Sequence, residues 1–460
     1  MRWPILFFVM TGVFLSTLDS GMINVALPTI TRSLKLDLEQ SEIIVTVYLL
    51  TITATLVFWG MIGDRVGRRN IYIGGMGIFG VGAFCCFVST TFSFLVFSRF
   101  FQAIGASMMM SSGPAILKET FPPNYLGRSL GLVGIATACG LLSGPYVSGQ
   151  LLLVYGWRAV FLVSMAIAAL VFGVGVLVMY RRLPGAKAGS VNGCDWLGGV
   201  LWAAVAVVLI SLFNKAGERI GPGVVILAGM VVLLGSLFVI RQQRCVNPIV
   251  PPEIFSSRKY WPAVVSAAVS FAVLFSVLIL MPFYLEYLLQ VPVDTVGKMM
   301  MAVPATLMVL SPTAGFVYDK IGARIPTTFG LFISFCAMVL VSRLTDTSSL
   351  TEVALILAML GAGQSIFLSP NSASVLSKVD DSFSGTTAGI LATARNFGMV
   401  SGATVGATLF ASLYAKYSGG KMLTDFNPAN RPDFLHAFQT SFLLLAALAL
   451  FGVVVSLLRR

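Results

Sequence analysis

Fourteen stretches of this chain are apolar over the length a helix needs to cross a bilayer, about 20 residues. They lie near 4–28, 41–62, 70–90, 93–117, 127–154, 157–180, 195–213, 221–240, 260–289, 296–318, 325–343, 350–376, 384–415 and 433–458. Of the 460 residues, 57% are hydrophobic and only 10% charged, against roughly 25% charged in an average soluble domain. A soluble fold of this size could not cover its surface with so few polar groups. The six cysteines, Cys85, Cys86, Cys139, Cys194, Cys245 and Cys336, are scattered and mostly within apolar runs, which excludes a secreted disulfide scaffold. The 34 Phe exclude intrinsic disorder. What remains is an all-α polytopic membrane protein. The first span is too long for a cleavable signal and Asp19 interrupts it. No stretch outside the spans is long enough for a separate soluble domain.

An even number of spans puts both termini on one side, and the Lys and Arg of short loops set which side. With the termini inside, the inner loops collect eighteen of the 30 basic residues and the outer loops ten, and Arg99 and Arg395 lie within spans. The bias predicts cytoplasmic termini. It also accounts for the net charge of +12 without nucleic acid, because the charge is spread over membrane loops. The linker 241–259, with Arg241, Arg244, Arg258, Lys259 and three prolines, reads as a cytoplasmic connector against anionic lipid.

The chain repeats itself. Gly60-Met-Ile-Gly63-Asp64-Arg65-Val-Gly67-Arg68-Arg69 returns as Gly315-Phe-Val-Tyr318-Asp319-Lys320-Ile-Gly322-Ala323-Arg324, at a constant offset of 255 residues from Asp64 to Asp319. Gly140-Leu-Leu-Ser143-Gly144 returns as Gly398-Met-Val-Ser401-Gly402, 258 residues on. The duplicated second span reappears as the tenth, not the eighth, so two extra spans separate two halves of six. The expected domains are a six-helix bundle over 1–182, two extra helices with a linker over 183–259, and a second bundle over 260–460. Parallel repeats with a substrate site at their interface are the logic of one class of secondary transporter.

The turn Gly60 to Arg69 is similar to the signature between helices 2 and 3 of the major facilitator superfamily. Leu18-Asp19-Ser-Gly-Met-Ile-Asn24-Val-Ala-Leu-Pro28 resembles the first-helix motif of its fourteen-helix drug:proton antiporter branch. Leu95-Val-Phe-Ser-Arg99-Phe-Phe-Gln102-Ala-Ile-Gly105 resembles the fourth-helix motif. Gly140, Gly144, Pro145 and Gly149 resemble the fifth-helix motif associated with antiport, and Tyr284-Leu-Glu286 with Pro304 resembles the start of the second half. The sequence departs from that pattern at Gly21, where Thr is common, at Ser148, which replaces a Gly, and at Glu286, where Gln is usual.

The resemblance implies a 6+2+6 major facilitator fold that exports amphipathic or cationic small molecules against inward proton flow by alternating access. A charge at the position of Asp19 costs about 2.5 kcal/mol or more in a membrane. Protonation removes that cost, so Asp19 is a candidate proton carrier; the alternative is a carboxylate permanently neutralised by a buried partner. Arg99 cannot readily deprotonate and needs an acceptor: either Asp19, for proton coupling, or backbone carbonyls as an anchor. Glu286 is a candidate second ionisable site or a residue reaching interfacial water. The resemblance makes Gly60, Asp64, Arg65, Gly67, Arg68 and Arg69 a cytoplasmic gate, with Asp64 facing a helix N-terminus and Asp319 and Arg324 its partly degraded twin. An acid inside a basic cluster argues against purely topogenic charge. Gly140, Gly144 and Gly149 allow close helix approach, with a kink at Pro145. The cavity implied by the resemblance would draw on Asn24, Tyr48, Gln102, Met109, Gln364, Asn371, Arg395 and Asn396. The Met runs 108–110 and 299–301 read first as packing. The sole histidine, His436, opens the last span and is expected to be interfacial.

The expected partners are a small-molecule substrate, protons and the lipid bilayer of a bacterial cytoplasmic membrane, with no nucleic acid and with room for a periplasmic adaptor. No cofactor or metal is expected: the sequence has no HExxH, no CxxC, no phosphate-binding Gly-rich loop ending in Lys-Ser/Thr and no His cluster. A dedicated exporter of a metabolite, siderophore or lipid is the competing reading. A membrane enzyme or receptor has no motif in its favour.

Overall fold

The computed structural model describes residues 2–36, 38–182, 195–218, 221–245, 247–250, 260–421, 423 and 426–459. Cys194, and Pro251, Pro252, Arg258 and Lys259 of the linker, lie outside them. The described residues hold helices and no strand. In order these are α1 (Trp3–Leu34), α2 (Leu38–Val66), α3 (Arg68–Phe87), α4 (Phe92–Thr120), α5 (Leu126–Val154), α6 (Arg158–Arg182), α7 (Trp196–Glu218), α8 (Pro222–Arg244), α9 (Trp261–Phe283), α10 (Val293–Met300), α11 (Ala302–Ile321), α12 (Arg324–Val341), α13 (Leu350–Ser377), α14 (Ser384–Tyr417) and α15 (Arg431–Leu457). Fourteen are long and apolar enough to cross a membrane, with α10 and α11 making one span. All fourteen coincide with the stretches read from sequence.

The largest boundary error is at the end of the first span. The span was read as ending near residue 28, yet α1 runs on through Pro28 to Leu34. Proline removes one backbone bond, and transmembrane helices tolerate that loss where neighbours or side chains satisfy the freed carbonyl. The helix ends instead at Lys35, in the left-handed region at φ 54°. Elsewhere the stops follow local chemistry. Gly67 at φ 108° separates α2 from α3, and Gly322 at φ 77° separates α11 from α12, so the two copies of the repeated turn share a positive-φ glycine. Thr91 caps α4 by accepting from the Phe94 amide. Pro282 precedes a π-helical turn over Tyr284–Leu288 that extends α9.

The chain folds into two compact units that do not follow chain order. Unit 1 contains Met1–Val207, Leu234–Ile254 and Ser372–Thr393; unit 2 contains Val208–Leu233, Phe255–Asn371 and Ala394–Arg460. In unit 1 the apolar core gathers Leu18, Met22, Ile23 and Ala26 of α1 with Trp157, just before α6, and Val160 and Phe161 of α6. In unit 2 an aromatic cluster forms the core: Tyr284 stacks on Phe438 at 4.8 Å and Phe410 meets Phe434 edge-on at 4.9 Å. Many large apolar side chains face outward, among them Leu153, Leu170, Val225 and Val232. That surface suits acyl chains and not water.

Glycines set the closest helix contacts in unit 1. A Cβ on Gly105 of α4 would lie 2.8 Å from the Phe79 Cα of α3, and one on Gly82 would lie 2.6 Å from the Gln102 nitrogen. Gly173 of α6 has nothing within 4 Å of the same built atom. Gly105→Ala should therefore force α3 and α4 apart at a cost of about 1–3 kcal/mol, whereas Gly173→Ala should be neutral or gain up to about 1 kcal/mol of helix propensity. Apparent unfolding midpoints of the detergent-solubilised variants check this; equal midpoints would contradict the packing described.

Candidate functional site

Asp19 lies halfway along α1 with its side chain fully buried. Its Oδ2 accepts from Arg99 Nη1 at 2.6 Å, and its Oδ1 accepts from Gln102 Nε2 and Ser164 Oγ, each at 2.9 Å. Arg99 and Gln102 are three apart on α4, so they share a face, and Arg99 Nη1 also donates to Gln102 Oε1 at 2.7 Å. The guanidinium lies over the Tyr48 ring of α2, 4.0 Å from its centroid, within cation–π range. Tyr48 Oη is 3.4 Å from Ser16 Oγ. Four helices thus meet at one buried charge pair. Of the two acceptors considered for Arg99, the structure shows Asp19. Ser164 was not anticipated: one Ser among the apolar residues of α6 carries no spacing signal that would mark it.

The fifth-helix glycines sit against α1 beside this network. A Cβ on Gly144 would lie 2.9 Å from the Gly21 Cα, and one on Gly140 would lie 2.8 Å from the Phe14 oxygen. Gly21 and Gly144 therefore face each other, and Ser148 Oγ donates to the Met22 carbonyl at 2.8 Å, which gives both departures from the family pattern a local role. Gly149 touches nothing there. α5 continues as a helix through Pro145. The repeated glycines act alike in unit 2: Gly398 and Gly402 of α14 lie against the Ala268 and Ala272 backbone of α9, and Ser276 Oγ donates to the Gly402 oxygen at 2.8 Å.

A second network lies at the end of α2. Asp64 Oδ1 accepts from the Gly385 amide at 2.7 Å; Oδ2 accepts from the Thr386 amide at 2.7 Å and its hydroxyl at 2.9 Å. These amides open α14, so Asp64 caps that helix from outside its own sequence. Arg68 Nη2 donates to Asp64 Oδ1 at 2.6 Å and also to the Asp381 carbonyl, while Nη1 reaches Glu119. Lys118 Nζ contacts Asp381 Oδ1 at 2.9 Å, Ser384 Oγ at 3.0 Å and the Val379 oxygen at 2.5 Å. The approach depends on small residues: a Cβ on Gly60 would lie 2.6 Å from the Gly385 carbonyl carbon. Nearby Asp380 Oδ1 accepts from the Ser382 amide and hydroxyl, which hold its carboxyl below the usual range. Arg65 reaches the Asn247 carbonyl at 3.4 Å, and Arg69 is half-buried. In the twin turn Asp319 is half-buried and Arg324 exposed.

The expected cavity residues scatter. Tyr48, Gln102 and Met109 are core residues of unit 1, each at most 1% exposed, and the first two belong to the Asp19 network. In unit 2, buried Gln364 accepts from Ser270 at 2.6 Å and buried Asn371 accepts from Arg459 at 2.5 Å. Asn396 is buried, Arg395 is half-buried with its guanidinium 5.9 Å from the Phe271 ring centroid, and Asn24 is exposed. Glu286 is exposed on the π-helical turn and His436 is exposed on α15. Among the described residues no three His, Cys, Asp or Glu come together as metal ligands.

The sequence profile of the Major Facilitator Superfamily matches residues 9–403. The chain belongs to that superfamily. It is a multi-pass membrane transporter of small molecules and not an enzyme. It is 30% identical over 417 residues to the riboflavin transporter RibZ of Clostridioides difficile (strain 630), covering 90% of this chain and 89% of the relative. It is 29% identical over 366 residues to the methylenomycin A resistance protein of Streptomyces coelicolor, covering 77% and 74%. It is 26% identical over 413 residues to the tetracenomycin C resistance and export protein of Streptomyces glaucescens, covering 89% and 76%. The fold resembles the human organic anion transporter MFSD10, with a TM-score of 0.65, 14% identity and 99% of both chains covered. It also resembles the proton:xylose symporter XylE, with a TM-score of 0.64, 14% identity and 97% and 94% covered.

Removing the Asp64 carboxylate leaves the Gly385 and Thr386 amides and Arg68 without their acceptor. Asp64→Ala should therefore speed hydrogen exchange at 385–388 by about tenfold or more. Asp380→Asn, which touches Ser382 and not those amides, should leave them slow. Unchanged protection in Asp64→Ala, read by mass spectrometry, would refute the capping role.

Proposed function

We propose that this transporter couples inward proton flow to export of amphipathic or cationic small molecules by alternating access, in a bacterial cytoplasmic membrane with both termini inside. The observation that carries this reading is the Asp19 network. A carboxylate and a guanidinium inside a membrane-spanning bundle are costly, and replacing such a pair by apolar residues is often neutral or stabilising, so stability alone is a poor reason to keep it. Protonation of Asp19 cancels its attraction for Arg99. Arg99 is then left with Gln102 Oε1 and the Tyr48 ring, and the contacts of α1 with α4 must rearrange. Proton uptake and cargo occupancy are antagonistic in this scheme.

The Asp64 network serves as the cytoplasmic gate, closed while Asp64 caps α14 and opened when that cap is released. Gly60 and Gly385 allow the closure, and Lys118, Glu119 and Asp381 strengthen it; Asp319 and Arg324 form the weaker twin. Exposed Glu286 is a candidate second proton site. Gly140, Gly144 and Pro145 keep α5 packed on α1 beside the proton carrier. Cargo is met by polar residues of the spans, Asn24 in unit 1 and Gln364, Asn371, Arg395 and Asn396 in unit 2, as they become accessible during the cycle.

Drug export is supported by relatives named for resistance to methylenomycin A and tetracenomycin C. A second reading, a carrier dedicated to one metabolite, is favoured by the relative named a riboflavin transporter. Proteoliposomes with an imposed pH gradient distinguish them: cationic dyes and riboflavin are offered separately and together. Accumulation of several unrelated dyes supports the first reading, and accumulation of riboflavin alone supports the second.

Asp19→Asn should abolish gradient-driven accumulation while retaining exchange of labelled for unlabelled cargo. Because it removes one partner of a buried pair, it should also cost about 3–5 kcal/mol of stability, so exchange is the control for folding. Uphill accumulation by Asp19→Asn at the wild-type level would overturn the role given to Asp19.

A further inference from the structure

In unit 2, the start of α12 and the end of α15 enclose an open groove of about 690 Å³. Its walls are Phe329 and Phe332 of α12 and Val453 and Leu457 of α15, with Arg324 and Thr328 toward one end. Phe329 and Phe332 are exposed, so the groove is an apolar channel open to whatever surrounds the helices. The Arg324 end is different. Its guanidinium is exposed, and no described residue accepts from it. Lys320, one turn earlier across Gly322, is also exposed, with its ammonium 4.4 Å from the Phe316 centroid. Thr328 Oγ1 is 3.0 Å from Ser456 Oγ, which fixes a hydroxyl between the charged end and the apolar walls. The other nearby cation, Arg459, is turned inward to Asn371.

Cation, hydroxyl and aromatic wall follow one another down α12. Eight residues of helix separate Arg324 from Phe332, about 12 Å, which is most of the roughly 15 Å hydrocarbon depth of one leaflet. We infer that this groove binds one anionic phospholipid, its phosphate on Arg324 within the field of Lys320 and one acyl chain along Phe329, Phe332 and Val453. Charge complementarity selects this occupant. A second copy of the chain or an apolar partner helix would cover Arg324 without neutralising it, at a desolvation cost. A phospholipid brings a negative charge to the charged end and a hydrocarbon chain to the apolar one. The site shares no residue with the Asp19 and Asp64 networks, although Arg324 also belongs to the twin turn, and its test does not depend on the cargo.

The test uses the full-length protein, delipidated in detergent and titrated with dioleoyl phosphatidylglycerol or dioleoyl phosphatidylcholine, with bound lipid counted by native mass spectrometry. Phosphatidylglycerol should be retained in preference to phosphatidylcholine. Arg324→Gln should weaken its retention about fivefold, the effect of one basic residue near a membrane surface. Val453→Trp, which fills the groove and leaves Arg324 in place, should weaken it at least as much. Arg343→Gln, an exposed cation just beyond the other end of α12, should not. Equal retention of the two lipids, wild-type retention in both groove variants, or displacement of the lipid by an equal concentration of sn-glycerol 3-phosphate would overturn the inference. So would a dimer in the spectra that Val453→Trp dissociates without changing bound lipid.

Discussion

A carboxylate and a guanidinium share the inside of unit 1 only because each is the other's principal partner. Asp19 has four lone-pair directions, and Arg99, Gln102 and Ser164 supply donors to it from two other helices. Arg99 in turn rests on Tyr48 of a fourth. The position of every one of these helices is constrained by that pair, because a displacement of about an ångström would leave a charge unpaired where no water replaces the lost contact. The glycines follow from the same requirement. On the side of α4 that meets α3, Gly82 and Gly105 remove the side chains that would hold the two helices apart. Gly21 and Gly144 do the same for α1 and α5.

The Asp64 network solves a different problem. The first amides of any helix lack intrahelical acceptors, and the usual solution is a capping side chain from the preceding residue. α14 takes its acceptor from α2 instead, more than 300 residues earlier in the chain. A cap supplied by a separate helix can be withdrawn without unfolding the helix it serves, which a local cap cannot. Arg68 contacts Asp64, Glu119 and the Asp381 carbonyl at once, so a loss of the cap would disturb all of these contacts together.

Much of this was legible in the sequence, and what was not has a common cause. Span count came directly from apolar length, because lipid admits no other solution for so many hydrophobic runs. The repeat was legible because the turn between two spans needs a positive-φ glycine, and Gly67 and Gly322 meet the same requirement. The pairing of Asp19 with Arg99 could be anticipated, since a lone charge in a span demands a partner. Ser164, Lys118, Glu119 and Asp381 could not, because ordinary polar residues acquire a role only from neighbours brought together by the fold. Tyr48, Gln102 and Met109 show the converse. A polar or pliable side chain in a cavity-facing helix reads as a lining residue, yet hydrogen bonding and cation–π contact draw Tyr48 and Gln102 into the core. The first span, read as ending near residue 28, continues past Pro28 because one missing amide need not end a helix in a membrane.

The two networks are joined by the same helices. α2 carries Tyr48 and Asp64, sixteen residues or about 24 Å apart, and α4 carries Arg99 and Gln102 near one end and Lys118 and Glu119 at the other. The two helices are also tied between the networks, where Thr55 Oγ1 lies 2.8 Å from Ser107 Oγ. Their stiffness differs. α2 has no proline between Tyr48 and Asp64, so a tilt that moves one moves the other. α4 has Pro114 between Arg99 and Lys118, and the missing amide gives it a joint at which the two ends can bend independently. In the proposed cycle, a rearrangement of Arg99 on loss of the Asp19 charge would therefore reach the Asp64 cap more directly through the Tyr48 ring and α2 than along α4 itself.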